Sequence, residues 1–334
     1  ADNAGHVGAH GVHQQEVAGV GLLAFHLRNA GGHGNGGNAG RADQRVDLAA
    51  GQLVHELGQQ HAARGAAAEG SDAQDDDLDG FKLDFIDSFR FDGADPAVAE
   101  DYAGRDIKSL PLAVNRLLSD VMKQLKAIKP EILIEFRQSY IGPAIRKYGN
   151  IFRAADCPAD ILTNRVRTID LRLFSGNTAV HSDMLEWNMN ETAETAALQI
   201  LNVIFSVPQI SIRFAELPDD HKKMLRFWLD FTRKHKEVLL KGKFMPYHPE
   251  ANYPVVSAEN QQEKMIAVYQ SGIAVKAAAD SGTLFIINGG NDSEMILDFE
   301  KDPSEVMIYN TFGELVNSPV LPAGLNKVEV PCSG

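Results

Sequence analysis

The sequence predicts an α/β protein: a (β/α)8 TIM-type barrel, incomplete on its N-terminal side, followed by an antiparallel β-sandwich. Three observations predict it. From Leu78 onward apolar strand-like runs alternate with helical stripes; every one of those strands ends in a cluster of polar groups; and from Lys243 short β-branched or aromatic runs follow one another, separated by turn residues. Strand–helix alternation implies parallel strands and right-handed crossovers. Functional groups after every strand suit a barrel, whose site is assembled from the C-terminal strand ends.

The elements follow in order. Residues 80–86 read as a strand. Residues 112–128 read as a helix with Val114, Leu117, Leu118, Val121, Leu125 and Ile128 on one stripe, stopped by Pro130. Strands are expected at 131–137, 150–155, 179–185 and 209–214. Helices are expected at 159–173, 191–205 and 219–240. The five strands mark residues 78–242 as the C-terminal five βα units of the barrel. The β-domain, residues 243–334, carries runs at 264–269, 273–277, 283–288, 294–299, 305–310 and 326–330. Asn288-Gly289-Gly290-Asn291-Asp292, Asp302-Pro303 and Pro322-Ala323-Gly324 punctuate it.

Residues 1–77 are a different text. Residues 1–70 hold 15 Ala and 15 Gly, and seven of the chain's 11 histidines lie within the first 77 positions. Phe25 is the sole aromatic there. Such a segment has too little to bury to offset the entropy of ordering its glycines. The expectation is a non-native or poorly ordered stretch, of the kind produced when a frameshifted or wrong-strand translation is joined to a gene fragment. Its apparent motifs are chance matches. Gly32-His33-Gly34-Asn35-Gly36-Gly37 fits G-x-G-x-x-G without a strand–turn–helix around it. In His55-Glu56-Leu57-Gly58-Gln59-Gln60-His61 the second His comes two positions too late for a zinc helix. His6, His10 and His13 sit at helical spacing in a His-rich run. Asp75-Asp76-Asp77-Leu78-Asp79-Gly80 opens like a calcium loop but has Ile86 where the bidentate Glu belongs.

Composition excludes several classes. The chain has 334 residues, 44% hydrophobic and 23% charged, and a net charge of -13. That charge repels phosphate and argues against a nucleic-acid partner. No apolar run reaches the roughly 18 residues a bilayer span needs. Two cysteines, Cys157 and Cys332, rule out a disulfide framework and a four-thiolate zinc site. Neither a cofactor nor a metal is expected. Acidity and free thiols fit a bacterial cytoplasm, and homo-oligomerisation remains open.

Two carboxylates stand out. In Phe81-Lys82-Leu83-Asp84-Phe85 the period of two puts the apolar side chains on one face and Lys82 with Asp84 on the other. The pair reads either as a structural ion pair or as a nucleophile kept ionised by a cation. Asp87 lies past the strand and reads as a cap or turn residue. In Arg153-Ala154-Ala155-Asp156-Cys157-Pro158, Asp156 stands at a strand tip. It is either the N-cap of the next helix or a general acid; Asp160 falls in the first turn of that helix, where a carboxylate is favoured anyway. Two carboxylates from different strands are the minimum for glycoside cleavage.

Phe81-Lys82-Leu83-Asp84-Phe85-Ile86-Asp87, Glu135-Phe136-Arg137-Gln138-Ser139-Tyr140-Ile141-Gly142-Pro143, Arg153-Ala154-Ala155-Asp156-Cys157-Pro158 and His181-Ser182-Asp183-Met184 resemble the melibiase-type α-galactosidases of the retaining glycoside hydrolases, over residues 78–334. The resemblance implies an oligosaccharide or α-galactoside substrate, Asp84 as nucleophile and Asp156 as acid/base. It assigns substrate binding to Lys82, Arg137, Arg153, His181, Asp183 and Trp187. The family's acidic and aromatic residues from the first barrel strands have no match in residues 1–77. The alternative is therefore a truncated, inactive carbohydrate-associated protein without a complete pocket. A more distant one is a metal-dependent hydrolase using His181 and Asp183.

Overall fold

The computed structural model describes residues 12–17, 20–25, 79–83, 107, 109–137, 142–278, 282–300 and 304–334. Asp84, Asp87, the glycine run at 32–37, the His55–His61 segment and most of residues 1–77 lie outside that set. The chain divides into two compact units, residues 1–152 and 153–334.

The first unit begins with β1 (Val12–Val17) and β2 (Val20–Phe25), joined by two residues and paired antiparallel. β2 pairs antiparallel with β3 (Gly80–Leu83). A two-residue connection permits no other orientation between β1 and β2, because parallel neighbours need a long crossover. β3 pairs in parallel with β4 (Leu133–Phe136), and β4 with β5 (Ile151–Arg153). Phe81 and Leu83 are buried and Lys82 between them is half-buried, as the period of two requires. α1 (Leu110–Ile128) links β3 to β4; Ser109 caps it, accepting from the Leu112 amide at 3.3 Å, and Pro111 is tolerated in its first turn. Asn150 ties β4 to β5: its Oδ1 accepts from the Ile134 amide at 2.8 Å and its Nδ2 donates to the Ile132 carbonyl at 3.0 Å. The neighbouring Gly149 has the Phe136 ring where a Cβ would stand, 2.5 Å away, so no other residue fits there.

In the second unit α2 (Ile161–Ser175) leads to β6 (Ala179–Leu185), α3 (Ala193–Leu201) to β7 (Val207–Ile210), and β6 and β7 pair in parallel. β7 is shorter than the 209–214 run suggested, because the chain turns at Ser211 into a 3₁₀ helix at Phe214–Glu216. The expected long helix is two, α4 (Asp219–Lys234) and α5 (Lys236–Lys241). The break falls at His235, whose ring lies between Phe231 and Phe285, centroids 4.5 and 4.8 Å away, with Nδ1 2.8 Å from Glu263.

The remaining strands are β8 (Lys243–Tyr247), β9 (Val255–Glu259), β10 (Glu263–Val268), β11 (Ala274–Lys276), β12 (Thr283–Asn288), β13 (Glu294–Phe299), β14 (Ser304–Glu305), β15 (Ile308–Tyr309), β16 (Leu315–Asn317), β17 (Val320–Leu321) and β18 (Gly324–Glu329). They form a four-stranded sheet, β12-β10-β9-β8, a three-stranded sheet, β11-β13-β18, and two short ribbons. This corrects the expectation of purely antiparallel pairing: β10 with β12, and β11 with β13, are parallel. The chain visits the two larger sheets alternately from β10 to β13, so each returning strand runs the same way as its new neighbour.

The four-stranded sheet is apolar on both faces. Val256, Ala258, Met265, Ala267 and Ile287 join a core with α3, α4 and α5 through Ile200, Ile204, Met224, Trp228 and Leu239. Val255, Ile266 and Val268 join a second core with Val275, Met295, Leu297 and Val328. Two arginines, the half-buried Arg172 and the buried Arg165, stitch the helical side. Arg172 donates to the carbonyls of Phe205, Leu239 and Leu240 at 2.7, 2.7 and 3.1 Å and lies 4.0 Å over the Phe244 ring; burial pushes its guanidinium down to about 10. Leu239 and Leu240 close α5, where a cation complements the helix dipole. Arg165 stacks 4.4 Å over Tyr269 and donates to Asn202 and the Asn252 carbonyl.

Tyr253 bonds to Asp170 of α2 at 2.7 Å, and its phenol is pushed up to about 12, first by that hydrogen bond, then by burial and the carboxylate's charge. A phenol raised above its unfolded value of about 10 stabilises the fold fully below that value and loses the contribution as pH climbs through the folded one. Urea midpoints should therefore fall between about pH 10 and pH 12, and Tyr253→Phe should flatten that fall while lowering neutral stability by about 1 kcal/mol.

Candidate functional site

The site is built where β5 ends. The Ala154 amide donates to the His181 carbonyl at 3.0 Å, which sets the end of β5 beside β6. Seven residues on, the chain enters α2. The helix is capped by Asp160, which accepts from the Thr163 amide at 2.9 Å and its hydroxyl at 2.6 Å. Those bonds, the hydroxyl first, hold the Asp160 carboxyl below the usual carboxylate range. Asp160 is thus the cap rather than a first-turn residue, and Asp156 is released from that duty.

Asp156 is open to solvent, its side chain 61% exposed, and it accepts from Arg153 Nη2 at 3.0 Å. Arg153 is 3% exposed and its Nη1 donates to Asp183, which is 0% exposed. The other Asp183 oxygen accepts from the Cys157 amide. Asn164 of α2 holds the Asp183 backbone from both sides: its Oδ1 accepts from the Asp183 amide at 3.0 Å and its Nδ2 donates to the Asp183 carbonyl at 3.3 Å. Arg167, one turn along, donates to the carbonyls of Ala155 and Asp156 at 2.9 and 2.8 Å. The strand tip is clamped at both its side chains and its backbone. Burial, then the Asp183 charge, pushes the Cys157 thiol up, so it remains a thiol and not a nucleophile.

Asp183 is consecutive with buried Ser182 because β6 carries a register shift between His181 and Met184. That irregularity breaks the period-two alternation that would put His181 and Asp183 on one face of β6. His181 is half-buried with Nδ1 3.0 Å from Gln209 Nε2. Ser182 Oγ accepts from the Gln209 amide at 2.9 Å. Trp187, two residues past β6, is half-buried and packs against the helical core. Its indole nitrogen donates to His221 Nδ1 at 3.0 Å.

The other candidates sit in the first unit. Lys82 is half-buried and in register with Glu135 of β4, itself buried; Arg137, half-buried, directly follows β4. Sequence reasoning missed Asn164, Arg167 and His221. Asn164 and Arg167 lie four and seven residues after the capping Asp160, a helical spacing that aligns them with the strand tip. Among the described residues no three His, Cys, Asp or Glu side chains converge as a metal site, and no helix is long and apolar enough to cross a membrane.

The two aspartates that share Arg153 should answer differently to substitution. Asp183→Ala leaves a buried guanidinium without its buried counter-charge, only the exposed Asp156 remaining, and should cost about 3–5 kcal/mol in urea unfolding. Asp156→Ala removes an exposed partner and should cost less than about 1 kcal/mol.

No protein-family model matches the chain, and no curated protein matches it in sequence. Among solved structures it is similar to the galactosidase domain of alpha-galactosidase-sucrose kinase, AgaSK, with a TM-score of 0.38 and 13% identity, over 65% of this chain and 31% of that one. The chain thus spans less than a third of the length of the solved structure to which it is similar.

Proposed function

We propose that the chain belongs to a retaining glycoside hydrolase of the melibiase type that cleaves terminal α-galactosides, its parallel strands forming part of a (β/α)8 barrel and its two larger C-terminal sheets a β-sandwich. The observation that carries this reading is the setting of Asp156: a solvent-open carboxylate at the C-terminal end of a parallel strand, held by a buried arginine whose charge is balanced from beneath by Asp183. Catalytic groups occupy that end of the strands in α/β barrels. A carboxylic acid that must give up and regain a proton needs access to substrate and a fixed orientation, and Asp156 has both.

In this reading Asp84, one residue past the described part of β3, attacks the anomeric carbon as a carboxylate. Asp156 protonates the departing glycosidic oxygen and the bond to the aglycone breaks. Asp156, now ionised, takes a proton from water; the hydroxide displaces Asp84 and the product keeps its α configuration. A retaining pair of this kind stands about 5–5.5 Å apart. Lys82, Arg137 and His181 bind sugar hydroxyls, and the Trp187 ring takes an apolar sugar face. Arg153 and Asp183 orient Asp156.

One observation favours a second reading, a carbohydrate-associated protein without turnover: β2 meets β3 antiparallel, where an all-parallel barrel places a parallel strand. Hydrolysis of para-nitrophenyl α-galactoside separates the two. Turnover is expected, abolished in Asp84→Ala and partly restored by azide, with the β-galactosyl azide as product because azide enters from the face the nucleophile used. Asp156→Ala should lower kcat/KM for a poor leaving group about 10²–10⁴-fold. A chain that turns over no α-galactoside, yet binds galactose equally well as Asp84→Asn, would establish the second reading. A rate unaltered by chelator is expected in either case where turnover is seen.

A further inference from the structure

His221, in the first turn of α4, is 1% exposed. Its Nδ1 lies 3.0 Å from the Trp187 indole nitrogen and its Nε2 lies 2.9 Å from the Glu191 carbonyl oxygen. An indole N–H can only donate and a carbonyl oxygen can only accept. The two contacts together fix the tautomer: the proton sits on Nε2, and Nδ1 presents a bare lone pair to the indole. An imidazolium would aim a second N–H at the indole N–H, and the contact would be lost. The ring cannot turn to escape, since its flipped form would set a carbon against the carbonyl. The two rings lie 6.5 Å apart between centroids, tilted by 50°, so the hydrogen bond rather than stacking orients the indole.

We propose that His221 is the positioning residue for Trp187: its bare Nδ1 lone pair holds the indole, and with it the ring face offered to substrate. The role rests on the glycosidase reading of the site. Asp220 accepts from the His221 amide at 2.8 Å, and Asp219 meets Lys222 at 3.4 Å.

The chain has two tryptophans, so Trp228→Phe leaves Trp187 as its single indole. In that nitrogen-labelled background the indole N–H resonance should move upfield in His221→Phe, which offers no acceptor, and return in His221→Gln, whose amide can accept from the indole and donate to the Glu191 carbonyl. On para-nitrophenyl α-galactoside, His221→Phe should raise KM about tenfold with kcat within about twofold, and His221→Gln should restore KM. An indole resonance unmoved in His221→Phe, one not restored in His221→Gln, or a KM unchanged in His221→Phe would each overturn the role. A parent chain without turnover would end the substrate role together with the glycosidase reading, and the resonance would then speak for the ring contact alone.

Discussion

The edge of the second unit from which Asp156 projects depends on one interaction, the buried pairing of Asp183 with Arg153. Two charges taken out of water cost more than their mutual attraction returns unless every remaining hydrogen-bonding position is filled. Here one carboxylate oxygen meets the guanidinium and the other meets the Cys157 amide. The Asp183 backbone is held in turn by Asn164. The pair therefore fixes three things together: the direction of Arg153, the entry of the chain into α2, and the place from which Asp156 leaves the surface. A neutral substitute could fill the volume without aiming the strand tip.

The same economy recurs away from the edge. Arg172, half-buried, and Arg165, buried, face carbonyl oxygens and aromatic rings instead of carboxylates. Carbonyls at the end of a helix carry partial negative charge, and an aromatic face supplies more. Each arginine joins segments distant in sequence. Arg172 gathers the residue after α3's last turns, the end of α5 and the first strand of the four-stranded sheet around one guanidinium.

Strands bounded by turn residues were legible. β6, β12 and β13 coincide with the runs read from sequence, because each is a short apolar or alternating stretch with turn residues on both sides. β8 and β9 escaped: Pro246 disguises the first, and the Val255-Val256-Ser257-Ala258 run has the small, doubly buried character of a strand between two layers rather than an alternating one. The parallel pairings of β10 with β12 and β11 with β13 could not be read at all, since local sequence does not say which sheet a strand joins. At the site, Asp156 and Arg153 were legible as a motif, whereas the burial of Asp183 was not: the register shift in β6 defeats a period-two argument. His221 carried no signal, for a lone histidine in a helix announces neither its tautomer nor its partner.

The four-stranded sheet, greasy on its two sides, has a bearing on how such a chain can change over time. A segment that is oily toward one neighbour only can be cut out, moved and attached elsewhere, leaving a single scar to heal. The strands from Val255 to Asn288 would expose two raw surfaces if parted from the helices before them or from the sheet after them. Recombination that inserts or removes modules should then find its tolerated breakpoints outside residues 193–330, and that stretch should be inherited whole.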